Sequence, residues 1–175
     1  MNKSVLSIFI LLLFVCSCSK KKETNTIITK LETPKVSKKI QAVGDEENKK
    51  AFTWDNVNYN FNISRKADKD LPIVKDGDGN KYYDNVIELI VTSSTGELFR
   101  HQFRKTDFNS YIDTNYLKPS KSALMSISFS RIDGNRAVFV ATIGSPDTMA
   151  DEYMLVKIAI TKSGSMSLSK IQETE

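Results

Sequence analysis

Ala123-Leu124-Met125-Ser126-Ile127-Ser128-Phe129-Ser130-Arg131-Ile132-Asp133-Gly134-Asn135-Arg136-Ala137-Val138-Phe139-Val140-Ala141-Thr142-Ile143 sets the architecture of this chain. Ala123, Met125, Ile127 and Phe129 recur at every second position, which places them on one face of a strand. Asp133-Gly134-Asn135 then interrupts the pattern, and Arg136 to Ile143 returns as a second apolar run. Asp-Gly in a short connection is a hairpin signal, because glycine takes a positive φ without steric cost. The segment therefore reads as two antiparallel strands and a tight turn.

The same grammar extends in both directions. Val86-Ile87-Glu88-Leu89-Ile90-Val91 is a nearly continuous apolar strand, Ser93-Ser94-Thr95-Gly96 is turn-like, and Glu97 to Arg104 returns with Phe99, His101 and Phe103 on one face. Downstream, Glu152 to Thr161 and Met166 to Ile171 pair around Ser163-Gly164. Upstream, Val57, Tyr59, Phe61 and Ile63 alternate with Asn58, Asn60, Asn62 and Ser64 as a half-buried strand. One helical interruption is expected, with Thr106 as its cap and Phe108, Tyr111 and Ile112 on its inner side. Short strands, tight turns and one helix predict a mainly β chain, folded as a single antiparallel β sandwich or open barrel.

The N-terminus has a different texture. Met1-Asn2-Lys3-Ser4 is short and polar, and Val5 to Val15 is apolar except for Ser7, the order of a secretory signal. That run is about half of the roughly 20 residues a membrane span requires. It ends at Val15-Cys16-Ser17-Cys18, which resembles a bacterial lipobox. Cys18 has the small Ser17 just before it and the aliphatic Val15 three before it, whereas Cys16 follows the bulkier Val15 directly. Cleavage before Cys18 and lipidation of that cysteine are expected; an ordinary secretory signal or an uncleaved anchor is the alternative. With Cys16 removed and Cys18 acylated, the mature chain would hold no thiol, disulfide or thiolate metal site. Three regions follow: a signal peptide over 1–17, a lipidated cysteine and Lys-rich tether over 18–50, and a β-rich domain over 51–175.

Charge supports that division. Ser19 to Lys50 carries nine lysines against five acids, with no aromatic residue, and reads as mostly disordered; Thr26-Ile27-Ile28-Thr29 is a possible strand fragment within it. The remainder is close to neutral, with fifteen basic and sixteen acidic residues. A nucleic-acid surface needs its basic patch on the fold itself, so nucleic acid is not an expected partner. Lys20-Lys21-Lys22 instead sits beside the lipid, where an anionic membrane surface would attract it by roughly 1 kcal/mol per lysine. A solvated linker is the equally economical reading.

Candidate chemistry concentrates between Leu71 and Asn85. Asp76, Asp78 and Asn80 occupy the first, third and fifth positions of a DxDxN calcium loop. The pattern then fails, with Lys81 where glycine is required and Ile87 where glutamate is required. An Asp-Gly turn explains the same residues, and no cofactor is expected. Tyr82 and Tyr83 are adjacent, so on a strand they face opposite sides, and with Asp84 they form a candidate binding surface for a protein or glycan. Asp76, Asp84, Asp151 and Glu152 are the acids that a carboxylate-dependent hydrolase of glycans would draw on. His101 is the single histidine, and no nucleophile-elbow motif accompanies it, so no catalytic residue is assigned. A non-enzymatic binding or structural module is the leading expectation, and the hydrolase is the alternative.

Leu71-Pro72, Lys75-Asp76 through Gly79, and Tyr82-Tyr83-Asp84-Asn85 resemble a family of Bacteroidetes lipoproteins known as domain of unknown function 4738. Phe99, Phe103, the Phe108 helix and Ser145-Pro146 before Asp151-Glu152 fall in a similar order, from Phe52 to the C-terminus. The resemblance implies a lipid-anchored envelope protein with no assigned reaction. The lack of an acidic stretch after Cys18 favours the outer membrane, facing the periplasm. Asp147-Thr148-Met149 is also similar to the O-glycan acceptor of such bacteria, which would place a glycan on Thr148.

Overall fold

The structure, a computed structural model, describes residues 36–147 and 149–171. The expected signal peptide, Cys18, the possible strand at 26–29 and the acceptor Thr148 lie outside the described residues.

Among the described residues there are ten strands: β1 Glu46–Trp54, β2 Val57–Asp68, β3 Val74–Lys75, β4 Lys81–Tyr82, β5 Asp84–Ser93, β6 Gly96–Phe103, β7 Ala123–Asp133, β8 Arg136–Gly144, β9 Tyr153–Thr161 and β10 Met166–Lys170. They form two four-stranded antiparallel sheets, β1-β2-β5-β6 and β10-β9-β8-β7, with β3-β4 as a small third ladder. The order is a β sandwich, in which each large sheet is built from consecutive hairpins except where β3 and β4 interrupt the first.

One core lies between the sheets. Phe61, Leu89 and Phe103 enter it from the first sheet, and Phe139, Ile143 and Ile158 from the second. Phe61 and Phe139 meet edge to face at 5.7 Å, and Phe52 stacks on Phe129 at 4.8 Å. Such contacts between rings add about 0.5–1.5 kcal/mol each beyond burial.

Two expectations about local pattern are corrected. The alternation of Ala123, Met125, Ile127 and Phe129 does not run through β7, because bulges interrupt its pairing at Met125 and Ser130. Each bulge inserts one residue and reverses which side chains face inward. The inward set is Leu124, Ile127, Phe129 and Ile132, facing Ile143, Ala141, Phe139 and Ala137 on the unbroken β8. The helix is also tighter than expected. Lys105–Tyr111 is a 3-10 helix, and a shorter 3-10 turn follows at Pro119–Lys121. Arg104, and not Thr106, stands at its cap, its N–H donating to Asp107 Oδ2 at 2.9 Å. Phe108 is buried and stacks on Phe103 at 5.7 Å.

A third correction concerns the tether. Its expected end at residue 50 falls inside β1, whose Glu46 to Lys50 pair with Arg65 to Phe61. Asp55 and Asn56 close this hairpin with φ values of 48° and 63°, the left-handed pair that suits a two-residue turn. Glu46-Glu47-Asn48-Lys49-Lys50 reads as linker by composition, yet β1 is an edge strand, where charge guards against unwanted pairing. Trp54 ends the strand fully buried, with Nε1 donating to Gly134 O at 3.2 Å across to the second sheet.

Candidate binding surface

The Asp-Gly segment forms a closed loop between β3 and β4. Asp76 is buried, and its Oδ1 and Oδ2 accept from the backbone N–H and the side-chain amide of Asn80, each at 2.8 Å. Asn80 Oδ1 accepts from the Ser37 N–H at 2.7 Å. Gln41 then lies alongside β4, donating its N–H to Lys81 O at 2.8 Å and accepting from the Tyr83 N–H at 2.9 Å. Residues 37–41, expected to be tether, are therefore clasped by the loop proposed for calcium.

Electrostatics agree with that structural role. Burial pushes the Asp76 carboxyl upward, but donors from Asn80, the Asp78 backbone and Tyr82 outweigh it and hold the group below the ordinary carboxylate range. Burial and the neighbouring Asp76 charge push the Tyr82 hydroxyl up. The three expected calcium ligands do not act as a set: Asp76 and Asn80 are committed within the clasp, and Asp78 is exposed. Among the described residues there is no group of three or more His, Cys, Asp or Glu arranged to hold a metal.

The expected surface of Tyr82, Tyr83 and Asp84 is not an exposed platform. Both tyrosines are half-buried, and Asp84 is buried. Asp84 Oδ2 meets Lys105 Nζ at 2.9 Å, while its Oδ1 accepts from the N–H groups of Leu124 at 3.0 Å and Asn85 at 2.8 Å. Lys105 Nζ also donates to the carbonyls of Pro119 and Ser122, so all three of its protons have acceptors. Asn85 completes the join by donating to Leu124 O at 2.9 Å. This buried cluster rivets β5 of the first sheet to the start of β7 in the second.

The acids named for carboxylate chemistry therefore separate into two kinds. Asp76 and Asp84 are buried and engaged, whereas Asp151 and Glu152 are exposed on the loop before β9. His101 packs edge-on against Phe103 at 4.5 Å, with Nε2 at 3.7 Å from Asp107 Oδ2. Among the described residues no serine hydroxyl bonds to it.

The outer faces of the two sheets offer what these residues do not. On the first sheet, Asn60 and Asn62 with Lys49, Ala51, Ile90 and Thr92 line a shallow groove of about 360 Å³. Lys49 pairs with Glu47 at 2.7 Å, and Arg100 with Glu88 at 2.9 Å and Glu97 at 2.7 Å, while Lys50, which also lines the groove, has no carboxylate within 4.0 Å among the described residues.

On the second sheet, β8 gives Ala137, Phe139 and Ala141 to the core and turns Val138 and Val140 the other way. With Arg131, Lys157, Ser169, Lys170 and Ile171 these valines line a depression of about 560 Å³. An adjoining depression of about 440 Å³ shares Lys170 and Ile171 and adds Tyr116, Tyr153, Met154 and Leu155. Tyr116 is 55% exposed and Tyr153 52%. Among the described residues, no carboxylate lies within 4.0 Å of Lys157 or Lys170. This surface was not among the sequence-predicted sites. Its signal was the unbroken apolar run Ala137-Val138-Phe139-Val140-Ala141, because an antiparallel strand with one wet face should alternate.

No curated protein matches the chain. The segment clasped at 37–41 falls within a recognised domain boundary, since the sequence profile of the family described as Domain of unknown function (DUF4738) matches residues 26–168, and the chain belongs to that family.

Proposed function

We propose that this chain is a lipid-anchored envelope protein whose β sandwich acts as a non-enzymatic binding or structural module. Cys18 carries the acyl anchor, and the residues after it lead to a body held at the outer membrane on its periplasmic side. A protein or glycan of the envelope is the partner class. The observation that carries the binding role is the contrast between buried and exposed groups. Asp76, Asp84, Asn85 and Lys105 hold the fold together, while Tyr153, Leu155, Lys170 and Ile171 on the outer side of the second sheet are presented to solvent.

Cys18→Ala tests the address directly. In membrane fractionation of the expressing cell, the native chain should sediment with membranes and carry acyl chains on residue 18 by mass spectrometry. The variant should be soluble or remain an unprocessed precursor. A native mature chain that starts elsewhere, or that carries no acyl group, would end this reading.

A further inference from the structure

We infer that the outer face of the second sheet is the docking surface for an acidic polypeptide segment that also carries apolar side chains. The inference deepens the binding role above and rests on it for its setting, though not on the lipid anchor.

The exposed apolar groups are Leu155, Ile171, Tyr153 and Tyr116, with the half-buried Val140 beside them and Val138 covered at the base. Exposed tyrosines beside exposed aliphatic side chains are the composition of protein contact surfaces.

Charge selects among polypeptides. Lys157 stands opposite Val140 in the ladder, and Lys170 joins the two depressions. Neither has a carboxylate within ion-pair distance among the described residues, and no Asp or Glu lines either depression. Arg131 lines the same floor and has only Asp133 near it, at 3.6 Å. A partner that brings carboxylates to Lys157 and Lys170 and apolar groups to Leu155, Ile171 and Tyr153 satisfies both features at once. Complementary charge of this kind raises association rates and excludes partners of the wrong sign.

The test uses the full chain in detergent and two labelled synthetic peptides, one alternating Glu with Ile and Tyr, the other identical but with Lys for Glu. Fluorescence anisotropy at low and high salt should show the acidic peptide binding, weakening with salt, and the basic peptide failing to bind. The paired substitution Lys157→Glu and Lys170→Glu should lower affinity at least tenfold, and Leu155→Ser should lower it several-fold. Lys49→Glu, on the opposite sheet, should leave it unchanged. Leu155, Lys170 and Lys49 are exposed and Lys157 is half-buried, and an unchanged melting temperature will separate lost binding from lost folding.

Equal binding of both peptides, binding of neither, or indifference to the Lys157 and Lys170 reversals would overturn the inference. So would a dimer that these reversals dissolve, which would assign the face to a second copy. Binding that appears only after removal of residues 172–175 would assign it to the chain's own terminus, with the same result. Loss of anchoring in the fractionation experiment with peptide binding intact would sink the envelope address alone.

Discussion

The outside of the first sheet and the outside of the second are built from similar numbers of strands and turn opposite characters to solvent. On the first, β2 alternates strictly, sending Tyr59, Phe61 and Ile63 inward and Asn58, Asn60 and Asn62 outward, and the flanking Lys49 and Arg100 find carboxylates on their own sheet. On the second, β8 turns Val138 and Val140 outward, and of the cations beside it Arg131 has Asp133 at 3.6 Å while Lys157 and Lys170 have no carboxylate within 4.0 Å among the described residues. The lesson is that alternation reports solvent, and its failure in the middle of an antiparallel sheet reports side chains withheld from water on both faces, as the burial of Val138 shows. The first face is dominated by amides and paired charge; the second leaves Tyr153, Leu155 and Ile171 exposed beside Lys170.

That contrast requires the two sheets to stay in place, so the largest effect is expected at the rivet between them. Lys105→Met leaves Asp84 charged and buried without its cation, and should destabilise the chain by about 3–5 kcal/mol in denaturant unfolding. A loss below 1 kcal/mol would show that the pair does not join the sheets.

The clasp on residues 37–41 comes next. The Asp76 carboxyl is held below its ordinary range by donors present only in the folded loop, so its contribution is complete above that range and is lost as pH falls through the depressed value. The protection of the Gln41 and Tyr83 amides, corrected for the intrinsic exchange rate at each pH, should therefore fall on acidification, ahead of the core strands. Asp76→Asn should accelerate both amides at neutral pH. Acid exchange that is uniform across β4 and β8 would contradict a separate clasp.

The smaller predictions address the faces themselves. Arg100→Ala should cost about 0.2–1 kcal/mol and cost less in high salt, as expected for an exposed charge network. Lys157→Ala should change stability by no more than about 0.5 kcal/mol in either direction at any salt, since it removes no ion pair among the described residues. If Lys157 showed the larger, salt-sensitive loss, the two faces would have been assigned the wrong way round. Smallest of all, a chelator should leave the melting temperature unchanged, because the oxygens of Asp76 and Asn80 already have protein donors.

Much of the sandwich was legible in the sequence. The hairpins at 84–103, 123–144 and 153–170 follow from alternation and from Gly96, Gly134 and Gly164, each of which takes a positive φ. β1 was not legible, because Glu46 to Lys50 carries the charges of a linker and Asp55-Asn56 lacks the glycine that usually marks so short a turn. Bulges were also invisible: nothing in the run of serines from Ser126 to Ser130 shows which position leaves the ladder. The candidate site was misplaced for a related reason. Asp76, Tyr82 and Asp84 are polar or aromatic residues in a turn-rich segment, a pattern shared by binding sites and by buried hydrogen-bonded supports, and only the positions of Asn80, Lys105 and Leu124 distinguish them.

The most direct measurement places a photo-activated cross-linking residue at Leu155 in one chain and at Ile90 in another, each expressed with its own signal in the native envelope. Adducts with a second protein, joined through an acidic stretch, are expected from position 155, and none from position 90. Equal adducts from both positions, or adducts from position 90 alone, would contradict the division of the sandwich into a finished face and a docking face.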